Sequence, residues 1–188
     1  MRFRILPVPA AILLALACQS TLVVYPVEYE ASTTVERGTI LEELLGDMGF
    51  DEFLDMNVTE AEEIENQGVE PGDIRDVRVT EFTLEVTAPQ DGDLSFLSQM
   101  AVYVEAAGLP EILVASQDSF PPGQRLVEFA LEDVDLTEYA VSESLTLSTD
   151  VEGHRPDEDS DIRAHVTLDI GVTGQGACRA AEASQRGG

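Results

Sequence analysis

From residue 74 onward, apolar and polar positions alternate with the period of two that is typical of β-strands. The segment "IRDVRVTEFTLEVTAP" places Val77 and Val79 on one phase and then shifts to Phe82, Leu84 and Val86. Such a shift of phase by one residue predicts a β-bulge or a strand that passes between two sheets.

Five further segments follow the same period and are separated by turn sequences such as "PQDGD" and "SFPPGQ". They are "FLSQMAVYVEAAG", "EILVAS", "RLVEFALE", "VSESLTLSTDV" and "DIRAHVTLDIGV". We interpret the last two as a long hairpin around "EGHRPDEDS". Together with a strand near the N-terminus, about seven short strands with frequent turns predict a mainly β fold, an antiparallel β-sandwich.

The segment between the first strand and residue 74 carries the only extended helical pattern of the chain. "TILEELLGDMG" begins with Thr39 and has Glu42 three residues later, which is the spacing of a capping box. "TEAEEIENQG" repeats this arrangement and contains only two apolar residues, so we expect its helix to lie on the surface. The pattern therefore predicts a short helical insert after the first strand.

The first 17 residues have the three parts of an export signal, namely a basic start, an apolar run and a small-residue end. Arg2 and Arg4 precede a charge-free run of 13 residues, positions 5–17. This run is shorter than the roughly 20 residues that a membrane-spanning helix needs. We therefore expect a signal peptide over residues 1–17.

Cys18 directly follows this signal and has three alternative roles. "ALAC" resembles the bacterial lipobox, in which Ala17 fits the pattern, while Ala15 and Leu16 depart from its usual order. Lipidation would attach diacylglycerol to the Cys18 thiol. An oxidising compartment would also permit a disulfide with Cys178, and the thiol could instead stay free. We favour the lipid, because a disulfide between two chain ends would stabilise little of the core.

These patterns divide the chain into five parts. They are a signal peptide (1–17), a lipidated N-terminus with the first strand (18–38), the helical insert (39–73), the β-sandwich (74–173) and a small, polar, disordered tail (174–188). Gln19 and Ser20 follow the cysteine, and neither is the aspartate that marks inner-membrane retention in many Gram-negative lipoproteins. We therefore expect an exported protein at the outer membrane, or facing the periplasm, of a Gram-negative bacterium.

The balance of charge is strongly acidic. The chain has 37 acidic and 10 basic residues, all ten of them Arg, and a net charge of −27. This charge argues against nucleic acid as a partner, because phosphates need cationic side chains. The even spread of the acids and the absence of Lys favour halophilic adaptation, in which salt screens the self-repulsion. Binding of a cation by clustered carboxylates is the alternative.

The densest acidic cluster is "PDEDSD", in which Asp157, Asp159 and Asp161 alternate as calcium-loop ligands do. The glycine and the distal glutamate of an EF-hand are missing, so a solvated turn is the alternative. Asp91 and Asp93 in "QDGD" form a lesser calcium candidate. We expect no cofactor, and calcium is the ion that these acidic loops could bind.

The two histidines, His154 and His165, flank the predicted hairpin turn and could bind zinc with an aspartate, or could be ordinary surface residues. The chain contains no Gly-x-Ser-x-Gly, His-Glu-x-x-His, P-loop or dinucleotide-binding motif. We therefore expect a protein that is not an enzyme.

Residues 59–172 also carry a recognisable order of segments. An acidic "EAEEIENQGVEPGDIRDVRV" precedes "FTLEVTAP", then "LSFLSQMAVYVEAAGLPEILVAS", and then "SLTLSTDV" with a closing strand. This order resembles a group of exported lipoproteins of Bacteroidetes-type bacteria. The resemblance implies a small β-sandwich held in the cell envelope, and it implies no catalytic activity.

The expected function is that of a cell-envelope lipoprotein whose β-sandwich is a structural or interaction module. Its expected partners are the membrane, through the lipid anchor, and another envelope protein. The alternative is a module that binds calcium or a polycation through its acidic loops.

Overall fold

The computed structural model of this protein describes residues 21–38, 64, 69–142, 145–154, 156–174 and 176–177. In this part of the chain, eight strands form two four-stranded antiparallel sheets, which confirms the predicted mainly β fold and its sandwich. The number of strands is eight instead of the predicted seven, because "RLVEFALE" forms two short strands, one in each sheet.

The first sheet, sheet A, contains β1 (Thr21–Val35), β2 (Ile74–Ala88), β5 (Leu126–Glu128) and β8 (Ser160–Thr173). Its strand order is β1-β8-β2-β5. The second sheet, sheet B, contains β3 (Leu97–Ala106), β4 (Ile112–Gln117), β6 (Ala130–Leu131) and β7 (Leu145–Gly153). Its strand order is β6-β4-β3-β7. A short helix, α1 (Thr137–Ala140), precedes β7.

The first strand lies at an edge of sheet A, the position that suits the proline it contains, Pro26. β1 pairs with β8 along its length, and no second strand among the described residues pairs with it. Val27, Ala31 and Val35 are buried on its inner face, while Pro26 is exposed. A proline is tolerated there because an edge strand needs only half of its main-chain donors for the sheet.

The predicted irregularity of β2 is a bulge. The register between β2 and β8 shifts between Val79 and Glu81, at the point where the apolar phase changes. Val79 is buried before the shift, and Phe82 and Leu84 are buried after it. The extra residue therefore keeps both halves of the strand facing the same core.

The predicted hairpin between β7 and β8 is wrong. β7 pairs with β3 in sheet B, and β8 pairs with β1 and β2 in sheet A, so residues 154–159 cross between the sheets. Alternation shows which face of each strand is apolar, and both inner faces are buried. It carries no information about which sheet a strand joins, and a connection of this length easily spans the ~10 Å between two packed sheets.

Most of the predicted helical insert, residues 39–63 and 65–68, lies outside the described residues. Ile64 is described, is helical, and is fully buried with the sandwich core, although the pattern predicts a surface helix around it. The last residues of the insert, Pro71–Asp73, form one 3₁₀ turn that leads into β2.

The predicted disordered tail begins at residue 174. At its start the structure places Gly176 against Asp73 and Val172, at the end of the sandwich where β2 begins. Residues from 178 onward lie outside the described part of the chain, so disorder there stays a prediction.

Candidate functional site

The structure forms a pocket of about 160 Å³ between two loops at one end of the sandwich. Ala88, at the end of β2, pairs with Asp161 near the start of β8, and Gly153, at the end of β7, pairs with Leu97 at the start of β3. The connections that follow β2 and β7 therefore meet at the same end of the sandwich. Residues 91–93, 95–96, 154 and 156–158 of these connections line the pocket, together with Ser160.

The first wall of the pocket is the connection after β2, which carries Asp91 and Asp93. The Asp93 carboxylate accepts two main-chain hydrogen bonds, from Ser95 N at 2.9 Å and from Gly123 N at 2.6 Å. Gly92 N donates to Pro89 O at 3.1 Å and closes a tight turn. Asp93 therefore fixes its own loop, and Asp91 on the same wall stays exposed.

The second wall is the crossing between the sheets, which carries His154, Asp157 and Glu158. His154 N donates to Phe96 O at 2.8 Å, which joins this wall to the first one. Gly38 N, in the turn that follows β1, donates to Pro156 O at 3.1 Å. The crossing is thus hydrogen-bonded both to the first wall and to the turn after β1.

The pocket is negatively charged. Four carboxylates line it, those of Asp91, Asp93, Asp157 and Glu158, and its described lining contains no Lys or Arg. Hydrogen bonds to the Asp93 carboxylate lower its pKa below the ordinary 3.8. The largest contribution comes from the Ser95 hydroxyl, and the main-chain N–H groups of Gly123 and Ser95 add to it. Asp93 is therefore ionised at neutral pH, and its charge faces a space that suits a cationic group.

The structure separates the three aspartates of the predicted calcium cluster. Asp157 lines the pocket, whereas Asp159 accepts a hydrogen bond from Arg37 N at 2.7 Å. Asp161 accepts one from Thr34 Oγ1 at 2.7 Å, so the latter two fasten β1 to the start of β8. Among the residues that the structure describes, no group of three His, Cys, Asp or Glu side chains is placed to hold a metal ion. Calcium binding by this trio therefore stays a prediction without a matching geometry.

The structure instead brings together residues from separate predicted sites. Asp91 and Asp93, the lesser calcium candidates, lie in the same pocket as Asp157 and His154. The sequence offers no signal that these residues lie together, because their meeting depends on which sheet each strand joins.

The two histidines lie on different parts of the molecule. His165 is in the middle of β8, with its Nδ1 atom 3.6 Å from Glu30 Oε1 on β1, and its Nε2 atom lies 3.3 Å from Thr167 Oγ1. His154 lines the pocket at the end of the sandwich. The predicted zinc site of two histidines and an aspartate is therefore not formed by the described residues.

The predicted signal peptide, the lipid-attachment residue Cys18 and its alternative disulfide partner Cys178 all lie outside the described residues. In the part of the chain that is described, no helix has the length and apolarity needed to cross a membrane.

The hydrogen bonds of Asp93 give a prediction about pH. A carboxyl group whose pKa is lower in the folded state than in the unfolded state adds stability above its unfolded pKa, and this contribution is lost as the pH falls through the folded pKa. We expect Asp93→Asn to lower the free energy of unfolding at pH 7, because the amide Nδ2 would face Gly123 N, another donor. The difference from the wild type should shrink below pH 3.8, the ordinary aspartate value.

Urea unfolding followed by circular dichroism between about pH 3 and pH 7 measures this difference. Asp91→Asn is the matched control, since it removes the same charge from the same loop at an exposed position. An equal effect of both substitutions at every pH would contradict the assignment to the Asp93 hydrogen bonds.

No family model and no curated protein matches this chain. Among solved structures, it is similar to a chain in the cryo-EM structure of Mud crab tombus-like virus, with 9% sequence identity and a TM-score of 0.33. The similarity covers 88% of this chain and 98% of the viral one. At this TM-score it carries no argument about function.

Proposed function

We propose that this chain is an exported, lipid-anchored protein of the cell envelope, and that its β-sandwich binds a basic segment of a partner protein. The observation that supports the binding role is the acidic pocket, in which two loops far apart in the sequence bring four carboxylates together. In this proposal the sandwich is a binding module and performs no reaction.

The size of the pocket supports a side chain of a macromolecule as its occupant. Sites for drug-sized ligands and cofactors enclose roughly 300–1,000 Å³, whereas this pocket encloses about 160 Å³. A space of this size suits one Lys or Arg side chain better than a whole small-molecule substrate. The rest of the partner would then contact the surrounding surface.

The charges of the pocket support a cationic occupant. Hydrogen bonds from an ammonium or guanidinium group to carboxylates are shorter and stronger than those between neutral groups. Three of the four carboxylates, those of Asp91, Asp157 and Glu158, belong to exposed residues, so a cationic side chain can reach them from the solvent.

Calcium is the second candidate ligand, because the same carboxylates could attract it. A basic side chain is favoured, since it needs no set of three converging ligands, and the described residues offer none. A polycation such as an oligo-arginine peptide is the simplest probe of the favoured ligand.

The pocket gives a prediction about binding. We expect the double variant Asp91→Asn/Asp157→Asn to bind a tetra-arginine peptide at least about tenfold more weakly than the wild type, as expected when close charge partners are removed. Isothermal titration calorimetry in about 0.15 M salt measures this change, with calcium chloride titrated separately.

Glu28→Gln/Glu30→Gln is the matched control, because it removes the same charge from exposed positions on β1. We expect this control to bind within about twofold of the wild type, because exposed charges at a distance are screened at this salt. An equal loss in both double variants would mean that the whole acidic surface attracts the peptide, which would contradict a specific pocket. Calcium binding that the pocket substitutions abolish, with no peptide binding, would favour the second candidate.

The anchor gives a separate prediction. We expect Cys18→Ser to move the protein from the membrane fraction to the soluble fraction of the bacterial envelope, because it removes the only thiol next to the predicted signal. Several acyl chains hold a protein on a membrane stably, whereas a chain without them has no comparable attachment.

Cell fractionation with immunoblotting measures this shift, and metabolic labelling with a palmitate analogue tests the lipid directly. Cys178→Ser is the control and should stay with the membrane. Equal membrane association of Cys18→Ser and the wild type, without labelling of either, would exclude the lipid anchor.

A further inference from the structure

We propose that Arg125 is a positioning residue for the acidic pocket and sets the shape of the wall that carries Asp91 and Asp93. This inference rests on the proposed function of the pocket, because it assigns a role in binding. Arg125 is not among the residues that line the pocket, so it acts through the loop and makes no contact of its own with the partner.

The guanidinium of Arg125 is bonded entirely to main-chain carbonyls in the described structure. Its Nη1 atom donates to Pro89 O at 2.7 Å and to Gly92 O at 3.2 Å. Its Nη2 atom donates to Val86 O at 2.6 Å and to Thr87 O at 3.4 Å. One side chain therefore spans the end of β2 and the turn that follows it.

This arrangement is unexpected in a chain with 37 acidic residues. Arg78 and Arg163 form ion pairs with Asp133 and Glu85, whereas no ion pair of Arg125 is found among the described residues. The charge of Arg125 is thus used to hold loop carbonyls together. Hydrogen bonds from charged donors contribute more than neutral ones, so the loop is held firmly.

The residues next to Arg125 complete the attachment. Arg125 O accepts a hydrogen bond from Val86 N at 2.8 Å, and Gln124 O accepts one from Leu94 N at 3.1 Å. Gly123 N donates to the Asp93 carboxylate. Residues 123–125 are therefore hydrogen-bonded to the end of β2, to the turn that follows it and to the residues after that turn.

The shape of the guanidinium explains why Arg is needed. Its planar fork points N–H groups in fixed directions toward two pairs of carbonyls, whereas the single ammonium of Lys cannot reach both pairs in the same way. A Lys at this position keeps the positive charge and loses the geometry. The two contributions can therefore be separated by substitution.

Charge and geometry predict opposite changes in binding. Arg125 adds a positive charge near an acidic pocket, so by Coulomb's law alone its removal would strengthen binding of a cationic peptide. If Arg125 positions the wall, its removal weakens binding instead. A merely electrostatic role would leave binding unchanged in Arg125→Lys, whereas a positioning role would not.

The experiment measures tetra-arginine binding by the wild type, Arg125→Lys, Arg125→Met and Arg163→Gln, in buffer where urea unfolding shows each protein to be folded. We expect both Arg125 variants to bind at least about fivefold more weakly, since a binding site depends on the residues that support it. Arg163→Gln, which removes a charge from the outer face of sheet A, should bind equally or more tightly. Binding by Arg125→Lys as tight as that of the wild type would overturn the proposal.

A measurement on the wild type keeps the test decisive if a variant does not fold or the peptide does not bind. The proposal requires that the amide hydrogens of Gly92 and Leu94 exchange slowly, with protection close to that of β2, because the Arg125 hydrogen bonds hold their loop. Fast exchange of both would overturn the positioning role. Slow exchange without peptide binding by the wild type would instead contradict the proposed function and leave the positioning of the loop supported.

Discussion

Phe129→Ala is expected to lower the free energy of unfolding by about 3–5 kcal/mol, the usual loss for a buried Phe in a core. The Phe129 ring is 4% exposed. Its centroid lies 4.9 Å from that of Phe82, with the rings inclined at 63°, and 6.1 Å from that of Phe120. Such edge-to-face pairs contribute beyond the area that they bury.

The position of Phe129 in the chain adds to this effect. It lies between β5 in sheet A and β6 in sheet B, so its side chain is buried at the point where the chain crosses between the sheets. Phe129 N also donates to Phe82 O at 3.0 Å. A loss of this size is a large part of the roughly 5–15 kcal/mol that stabilises a typical domain, so the variant should unfold at much lower temperature.

Urea unfolding followed by tyrosine fluorescence, together with calorimetry, measures the loss. Leu126→Ala is the control, because Leu126 is in the same short segment and is 59% exposed. We expect the control to change stability by less than about 0.5 kcal/mol. Equal effects of the two substitutions would contradict the burial of Phe129 in the core.

The sequence predicts those parts of the fold that depend on neighbouring residues. The edge position of β1 agrees with its proline, Pro26, and the bulge of β2 follows from its change of phase. The short turn at α1 also agrees with its sequence, since Asp135 Oδ1 accepts a hydrogen bond from Thr137 N at 2.9 Å. Each of these features is decided within a few residues of the chain.

Features that depend on distant pairing cannot be predicted in this way. The pattern of β7 and β8 favours a hairpin only because alternation is the same in a hairpin and in a crossing between sheets. The pocket depends on this crossing, so neither it nor the meeting of Asp91 with Asp157 follows from the sequence. The aspartates of "PDEDSD" suggest one site, and the structure divides them between the pocket and the attachment of β1.

The inward position of Arg125 is another feature that the sequence pattern cannot predict. "RLVEFALE" alternates equally well on two phases, and the structure buries Val127 and Phe129 and points Arg125 inward with them. Only the carbonyls of residues 86–92 make an inward Arg favourable, because they satisfy its donors. Those of Val86 and Gly92 are 39 and 33 residues away in the sequence, beyond the reach of any local pattern.

Gly176→Ala is expected to lower the free energy of unfolding by about 1–3 kcal/mol, as overpacking of a filled site usually does. A Cβ atom on Gly176 would lie 2.6 Å from Val172 Cγ1 and 2.7 Å from Asp73 Cβ. Both distances are shorter than a carbon–carbon contact allows. The added methyl group must therefore displace β8 or the turn before β2.

Displacing the turn before β2 would be unfavourable, because this turn contains Asp73, which is buried and hydrogen-bonded. Asp73 is 4% exposed, and its carboxylate accepts hydrogen bonds from Thr173 Oγ1 at 3.3 Å and from Glu70 N at 3.2 Å. Moving Asp73 away would weaken both bonds inside the protein, where unpaired polar groups are unfavourable. The small residue at position 176 thus keeps the end of β8 joined to the start of β2.

Gly72→Ala provides the matched control, because a Cβ atom on Gly72 would have no heavy atom within 4 Å. Gly72 is exposed in the 3₁₀ turn directly before Asp73, so the control adds the same methyl group beside the same carboxylate at an open position. We expect it to leave stability unchanged or to raise it by a few tenths of a kcal/mol, because Ala restricts the unfolded chain more than Gly does.

Thermal and urea unfolding of the two alanine variants beside the wild type measure the difference. A Gly176→Ala protein as stable as Gly72→Ala would show that the chain after β8 does not pack against Asp73. A loss confined to Gly176→Ala would show that residues beyond the last strand belong to the folded domain, because only a packed position is sensitive to one added methyl group.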